Sequence, residues 1–222
     1  CSCEIIDYIR EDETYRNCEK TLLKQKSYNS SVLKRCAYLA LRQPESIRAG
    51  KRFEKMRKQY LHLTKRYSDL KQLTEEMPSA DIYLTGSDQV WGPVADGTFD
   101  SAYLLSFTKE ENKRVAFAAS FGRTNFSRET KEFFHKWLSR YDDIAVREDS
   151  AVKLLEEWGF GAKQVLDPTL LIDASEWEKL CTPIRAKEYI LIYQIHNDKR
   201  LGRYAKRVAQ KFGLPLVRIS AS

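Results

Sequence analysis

The chain has 222 residues, a formal net charge of +7 and a hydrophobic fraction of 42%. This length and composition exceed what one small module needs and fit one large domain, or one domain and part of another. No apolar run approaches the roughly 18 to 20 residues that a membrane-spanning helix requires. The five cysteines, Cys1, Cys3, Cys18, Cys36 and Cys181, lack metal-ligand spacing and are typical of reduced thiols in a cytoplasmic protein.

Basic residues concentrate in two segments, 31–71 and 197–212. In the first segment apolar residues recur at helical spacing, at Phe53, Met56, Tyr60 and Leu63. This spacing predicts an amphipathic helix with a solvated basic face. No nucleic-acid-binding signature accompanies it. An anionic membrane or a sugar phosphate fits such a face as well as nucleic acid does. Nucleic-acid binding therefore stays the minor alternative.

Predicted strands and helices alternate along the chain. Apolar segments predict strands over 3–9, 81–86, 114–120, 143–147, 163–167, 188–195 and 215–220. Helical patterns predict a long region from about Cys18 to Leu73, broken near Pro44, and further helices over 127–141, 148–160 and 199–212. Ser127 is the expected N-cap of the 127–141 helix, and Gly159 is expected to close the 148–160 helix. This alternation predicts a parallel sheet that is covered on both faces.

Ligands of parallel sheets bind beyond the carboxyl ends of the strands. The residues at those positions are Gly86-Ser87-Asp88, Ser120-Phe121-Gly122, Arg147, Asp167-Pro168 and His196-Asn197. Gly86 allows a sharp turn, and Ser87 or Asp88 is expected to cap a short helix that begins at Gln89. The free N–H groups of such a helix would suit a phosphate or a carboxylate. In the simpler interpretation these residues only cap, and Trp91 lies in the core.

The remaining strand-end residues leave alternatives open. Ser120 has no histidine neighbour to activate it, so we expect a hydrogen bond to a ligand rather than a nucleophile. Arg147 either holds a carboxylate or phosphate with its planar fork, or pairs with Glu148 or Asp149. Asp167-Pro168 predicts a rigid structural turn. For His196 a structural role comes first and catalysis second.

Five motifs of the sequence together resemble those of a known protein family. YLTGSDQVWGP, YLLSF, KRVAFAASFG, DIAVRED and VLDPTLL, at these intervals, resemble the polysaccharide pyruvyl transferase family over nearly the whole chain. The resemblance implies a GT-B-like α/β fold of Rossmann-like domains with doubly wound parallel sheets. The N-terminal domain would span 1–172, a linker 173–187 and the start of the C-terminal domain 188–222. Because family members carry a further strand before Cys1 and a His-Gly turn after Ser222, the sequence is expected to be part of a longer protein.

The resemblance also implies a reaction. An enolpyruvyl group would move from phosphoenolpyruvate onto a saccharide or lipid-linked saccharide, giving a pyruvate ketal in cell-surface polysaccharide biosynthesis. No metal and no cofactor are expected, and the location would be cytoplasmic, at the inner face of the membrane with peripheral membrane association. The substrate-binding residues would be Gly86, Ser87, Asp88, Ser120 and Arg147, with the family's catalytic histidine outside this chain. The alternatives are a GT-B-like glycosyltransferase that uses a nucleotide sugar and a non-catalytic basic binding module.

Overall fold

A computed structural model describes residues 2–10, 31–94, 97–181, 187–194 and 198–220. The chain divides into two compact units, Cys1–Leu171 and Ile172–Ser222. All strand pairs within the described residues are parallel, which confirms the predicted α/β class. The doubly wound order, the GT-B-like arrangement and the predicted domain bounds stay predictions.

The first unit contains two parallel sheets. The smaller sheet pairs β1 (Ile5–Tyr8) with β2 (Leu63–Tyr67). The larger sheet has its strands in chain order: β3 (Ile82–Thr85), β4 (Lys113–Ala119), β5 (Asp143–Val146) and β6 (Lys163–Gln164). β6 is shorter than the predicted 163–167 strand, because only Val165 adds a further backbone bond, to Val146 at 2.9 Å. Parallel pairing brings the carboxyl ends of all four strands to one edge.

Helices connect these strands: α1 (Val32–Tyr60), α2 (Leu70–Glu75), α3 (Arg128–Leu138) and α4 (Asp149–Glu157). The predicted N-cap of α3 is confirmed, because Oγ of Ser127 accepts a hydrogen bond from the Thr130 amide at 3.3 Å. The predicted end of α4 is also confirmed. Gly159 has φ = 86°, a left-handed conformation that glycine adopts readily after a helix.

The long helical prediction was wrong in two places. α1 continues through Pro44 instead of breaking there, since a proline removes one backbone hydrogen bond and kinks a helix without having to end it. Residues Leu63–Tyr67, predicted as helical, form the strand β2. β-branched and aromatic residues suit a strand, and pairing with β1 overrides the helical spacing of Leu63. The predicted start near Cys18 lies outside the described residues.

An aromatic core lies next to the carboxyl edge of the larger sheet. Trp91 is almost fully buried, which confirms its predicted place in the core. The ring centroid of Phe121 lies 4.9 Å from Trp91, 5.1 Å from Phe134 and 5.7 Å from Trp158. Trp91 and Phe121 each follow a strand of this sheet within a few residues. Their burial therefore fixes the turns that follow β3 and β4.

The second unit contains a βαβ arrangement, as predicted. β7 (Ile190–Gln194) pairs in parallel with β8 (Leu216–Ser220), and α6 (Lys199–Phe212) connects them. A short helix, α5 (Ala174–Leu180), lies in the segment that was predicted as a linker. Among the described helices of the whole chain, none combines the length and apolar character needed to cross a bilayer.

Candidate functional site

The turn after β3 depends on Gly86. This residue has φ = 123°, and a Cβ atom there would lie 1.9 Å from the carbonyl oxygen of Phe117. No other residue fits without moving the backbone of β4, because such a distance is far inside van der Waals contact. The predicted role of Gly86 in a sharp turn is therefore confirmed, while its predicted contact with substrate stays a prediction, as does that of Ser87.

The helix predicted after Asp88 does not form. Asp88 has φ = 78° and pairs with Ala119 as an isolated bridge. Its carbonyl accepts from the Ser120 amide at 3.0 Å, and the Trp91 amide donates to the Ser120 carbonyl at 3.1 Å. A left-handed residue cannot begin an α-helix, and Pro93 follows closely, so neither Ser87 nor Asp88 is a cap. The anion-binding helix terminus expected here is absent.

Ser120 lies inside the turn rather than on its surface. The residue is fully buried, and its Oγ accepts a hydrogen bond from the Gly122 amide at 3.1 Å. Just before it, Ala118 has φ = 54°, and the register of β4 against β5 shifts between Ala116 and Ala119. This bulge turns the end of β4, as bulges near functional sites often do. The observed role of Ser120 is to hold the turn; its hydrogen bond to a ligand stays a prediction.

Arg147 brings the strand ends together. Its backbone amide donates to the Ala119 carbonyl at 3.1 Å. Its Nε donates to Glu148 at 3.1 Å, and its Nη1 donates to Oδ2 of Asp167 at 3.0 Å. These two hydrogen bonds raise the pKa of Arg147 above its ordinary value. The predicted pairing with Glu148 is confirmed. The alternative partner, Asp149, pairs with Lys153 instead, with 3.3 Å between Oδ2 of Asp149 and Nζ of Lys153.

Nη2 of Arg147 has a different environment from the other two nitrogens. It lies 3.6 Å from Oδ1 of Asp88, which is beyond hydrogen-bond distance. The side chain of Asp88 is 83% exposed, compared with 27% for Arg147. One cation thus faces three carboxylates, with a combined formal charge of −2. An anionic ligand can approach this edge only if it takes the place of a carboxylate or brings its own compensating charge.

Asp167 stabilises its own turn and also contacts Arg147. The contact with Arg147 was not predicted from the sequence. The Thr169 amide and its Oγ1 donate to Oδ1 of Asp167, at 3.0 and 2.7 Å. These bonds, followed by the one from Arg147, lower the pKa of Asp167. The signal in the sequence was a threonine two residues after the aspartate that ends the predicted 163–167 strand, since this pattern favours an Asx-type turn with an ordered carboxylate.

The histidines do not contribute to the described part of this edge. His196 lies outside the described residues, so its catalytic role stays a prediction. His135 is exposed on α3, where its ring lies 4.8 Å from that of Phe160. Within the described ranges, no group of His, Cys, Asp and Glu side chains is arranged to hold a metal ion.

The comparisons with known proteins give one match. A family model described as polysaccharide pyruvyl transferase matches residues 5–221, nearly the whole chain. No curated protein and no solved structure matches the sequence.

Proposed function

Because the chain belongs to the polysaccharide pyruvyl transferase family, we propose that it transfers a pyruvyl group from phosphoenolpyruvate to a saccharide. Two hydroxyl oxygens of the acceptor form bonds to C2 of the donor, and the bond from C2 to the phosphate oxygen breaks. The acceptor hydroxyls lose two protons in total: C3 gains one proton and becomes a methyl group, and the phosphate leaves with the other. The products are a cyclic pyruvate ketal and inorganic phosphate. The reaction needs no redox partner, and the family resemblance implies that it uses no cofactor and no metal.

The position and the hydrogen bonds of Arg147 support this proposal best. Phosphoenolpyruvate carries a carboxylate and a phosphate, and a guanidinium binds either group with parallel hydrogen bonds. Arg147 lies at the carboxyl edge of the sheet, where α/β proteins bind their ligands. Asp167 and Glu148 hold Nη1 and Nε, while Nη2 makes no hydrogen bond to any residue that the structure describes and lies 3.6 Å from Oδ1 of Asp88. The guanidinium is therefore oriented, and its Nη2 can bind an anion that takes the place of Asp88.

The saccharide acceptor is the second part of the proposal. Family membership points to a saccharide, and a lipid-linked saccharide would place the reaction at a membrane surface. Sugar hydroxyls are commonly held by charged groups that accept and donate hydrogen bonds, and the carboxylates around Arg147 provide such acceptors. We accordingly propose a cytoplasmic enzyme that acts at the inner face of the membrane.

Helix α6 supports the peripheral membrane association. It contains no acidic residue and carries six exposed cations: Lys199, Arg200, Arg203, Lys206, Arg207 and Lys211. Leu201, Tyr204 and Phe212 are exposed as well, and they share one side of the helix next to the basic arc. A helix with a basic face beside apolar residues is typical of proteins that lie on anionic bilayers.

The membrane association can be measured by co-sedimentation with vesicles that contain phosphatidylserine. Each cation near an anionic surface contributes about 1 kcal/mol, or roughly fivefold in affinity. The double variant Arg203→Glu/Arg207→Glu should therefore reduce vesicle binding by at least about twenty-fold. The control is Lys71→Glu/Lys153→Glu, which makes an equal change of charge on the first unit and should reduce vesicle binding far less. Equal losses in both variants would assign the attraction to net charge alone. Stronger binding to an oligonucleotide than to vesicles would instead favour the basic binding module.

The donor can be tested by saturation-transfer NMR on the full-length protein. Phosphoenolpyruvate, a nucleotide sugar and a short oligonucleotide are offered separately and then in competition. We expect saturation of phosphoenolpyruvate signals and displacement by excess inorganic phosphate. Binding of the nucleotide sugar alone would support a glycosyltransferase, and binding of the oligonucleotide alone would support a non-catalytic module. Either of these two results would overturn the proposed donor.

A further inference from the structure

The three carboxylates around Arg147 are not equivalent. Asp167 and Glu148 make hydrogen bonds to the guanidinium at 3.0 and 3.1 Å and are partly buried. Asp88 is at 3.6 Å, and its side chain is the most exposed of the three. An ion pair that is long and exposed contributes little to stability. Asp88 is thus the carboxylate that leaves most easily.

Asp167 has an orientation of its own that does not depend on Arg147. Both the amide and the hydroxyl of Thr169 donate to Oδ1. This leaves Oδ2 for Nη1 of Arg147. A carboxylate that is fixed at one oxygen presents the other in a defined direction, which orders the long arginine side chain. The pKa of Asp167 is lowered by the same contacts, so the group stays charged at neutral pH.

From these differences we infer that Asp167 is a positioning residue for the arginine fork, and that Asp88 is a counter-ion which the donor's carboxylate displaces from Nη2. This inference rests on the proposed function, because it requires a donor that carries a carboxylate. Exchange of one carboxylate for another leaves three carboxylates beside Arg147, so the donor's carboxylate adds no negative charge there to the formal −2. The backbone of Asp88 can stay in place during the exchange, since its bridge to Ala119 involves main-chain atoms alone.

The two aspartates should respond in opposite directions to the same chemical change. Asp88→Asn removes a like charge that competes with the donor, and we expect binding about fivefold tighter, as for one charge about 4 Å away in water. Asp167→Asn also removes a negative charge, yet it leaves the fork without its fixed partner. We expect binding roughly tenfold weaker and a donor KM that rises more than kcat falls.

The experiment is calorimetric titration of phosphoenolpyruvate into full-length wild type, Asp88→Asn and Asp167→Asn. Asp149→Asn is the matched control, because Asp149 pairs with Lys153 on α4 and not with Arg147. If electrostatics alone governed binding, both Asp88→Asn and Asp167→Asn would bind more tightly. If Asp167 only stabilised its turn, Asp167→Asn would melt earlier and bind with the wild-type dissociation constant. Either outcome would overturn the inference.

A second variant covers the case in which Asp167→Asn does not fold. Thr169→Val removes the hydroxyl donor and keeps the amide donor to Oδ1, so it should fold and bind the donor about threefold more weakly. An unchanged dissociation constant in Thr169→Val would also contradict the positioning role. Failure of wild type to bind phosphoenolpyruvate would reject the proposed donor itself. Binding by wild type together with unaltered binding by the variants would reject this inference alone.

Discussion

Arg114 and Arg147 lie at opposite edges of the larger sheet, the first at the amino edge and the second at the carboxyl edge. Their guanidinium groups have contrasting partners. Arg114 lies near the start of β4 and is only 3% exposed. Its guanidinium donates to the Thr108 hydroxyl at 2.7 Å, to the carbonyls of Asn112 and Arg140 at 3.0 and 3.2 Å, and to the Lys109 carbonyl. Burial, followed by the nearby charge of Arg140, lowers its pKa. Arg147 just beyond β5 is partly exposed, is held by carboxylates and has a raised pKa.

The difference shows what separates a structural arginine from one that can bind a ligand. Arg114 donates to the Thr108 hydroxyl and to backbone carbonyls of the 108–112 loop and of Arg140, so it ties these segments to the sheet. Arg147 is fixed at Nε and Nη1 but not at Nη2. The sequence places Arg114 at the start of one predicted strand and Arg147 at the end of another, but it does not show which groups hold each guanidinium. The structure shows these partners.

The largest expected effect is on stability, through Arg114. Arg114→Leu removes the guanidinium of a buried residue and leaves the buried Thr108 hydroxyl and three partly buried carbonyls without this donor, each at a cost of up to about 1 to 3 kcal/mol. We expect a loss of at least about 3 kcal/mol in the free energy of unfolding, measured by urea denaturation. Lys113→Leu, one residue earlier and exposed, is the control and should change stability by less than about 0.5 kcal/mol. A loss as small as that of the control would show that Arg114 does not hold the loop.

Gly86→Ala is expected to have the next largest effect, at the other edge of the sheet. The new Cβ would overlap the Phe117 carbonyl, and the residue also has φ = 123°. We expect a loss of about 2 to 4 kcal/mol in thermal or urea unfolding. Gly97→Ala separates the two causes, because Gly97 has φ = 86° and the added Cβ would meet no atom within 4 Å among the described residues beyond its chain neighbours. It should lose only about 1 kcal/mol. Equal losses of unfolding free energy in the two variants would mean that a small shift of the backbone removes the overlap with Phe117.

The pH dependence of stability should show a smaller effect from Asp167. Its folded pKa lies below the ordinary aspartate value of about 3.9, so its contribution is complete above that value and is lost as pH falls through the folded pKa. The difference in unfolding free energy between wild type and Asp167→Asn should be constant above about pH 5 and shrink below about pH 4. Asp149→Asn serves as the control for removal of a surface carboxylate. A difference independent of pH would contradict the lowered pKa.

The sequence predicted those features that depend on local patterns. Parallel strands were identified from apolar runs, the α3 cap from Ser127 and the end of α4 from Gly159. The position of Arg147 at the carboxyl edge followed from the strand β5 alone. These predictions succeeded because the physical cause lies within a few residues of the pattern.

The errors arose where distant segments decide the local structure. Leu63–Tyr67 continues a helical spacing, and only its pairing with β1, more than fifty residues earlier, makes it a strand. Asp88 precedes a plausible helix start, yet its bridge to Ala119 in β4 holds it in a left-handed conformation. Asp167 and Arg147 are twenty residues apart and meet only across the β5–β6 pair. Register between strands cannot be read from one sequence.

The contrast between the two arginines can be tested directly by one pair of variants. Calorimetric titration of phosphoenolpyruvate into full-length wild type, Arg147→Lys and Arg114→Lys compares the loss of the planar fork at each end of the sheet. For Arg147→Lys we expect an affinity roughly ten- to more than a hundredfold weaker, equivalent to about 1.5 to 3 kcal/mol, with stability changed by at most about 1 kcal/mol. Arg114→Lys should be destabilised and bind the donor like wild type. Equal dissociation constants for wild type and Arg147→Lys would remove Arg147 from the donor site.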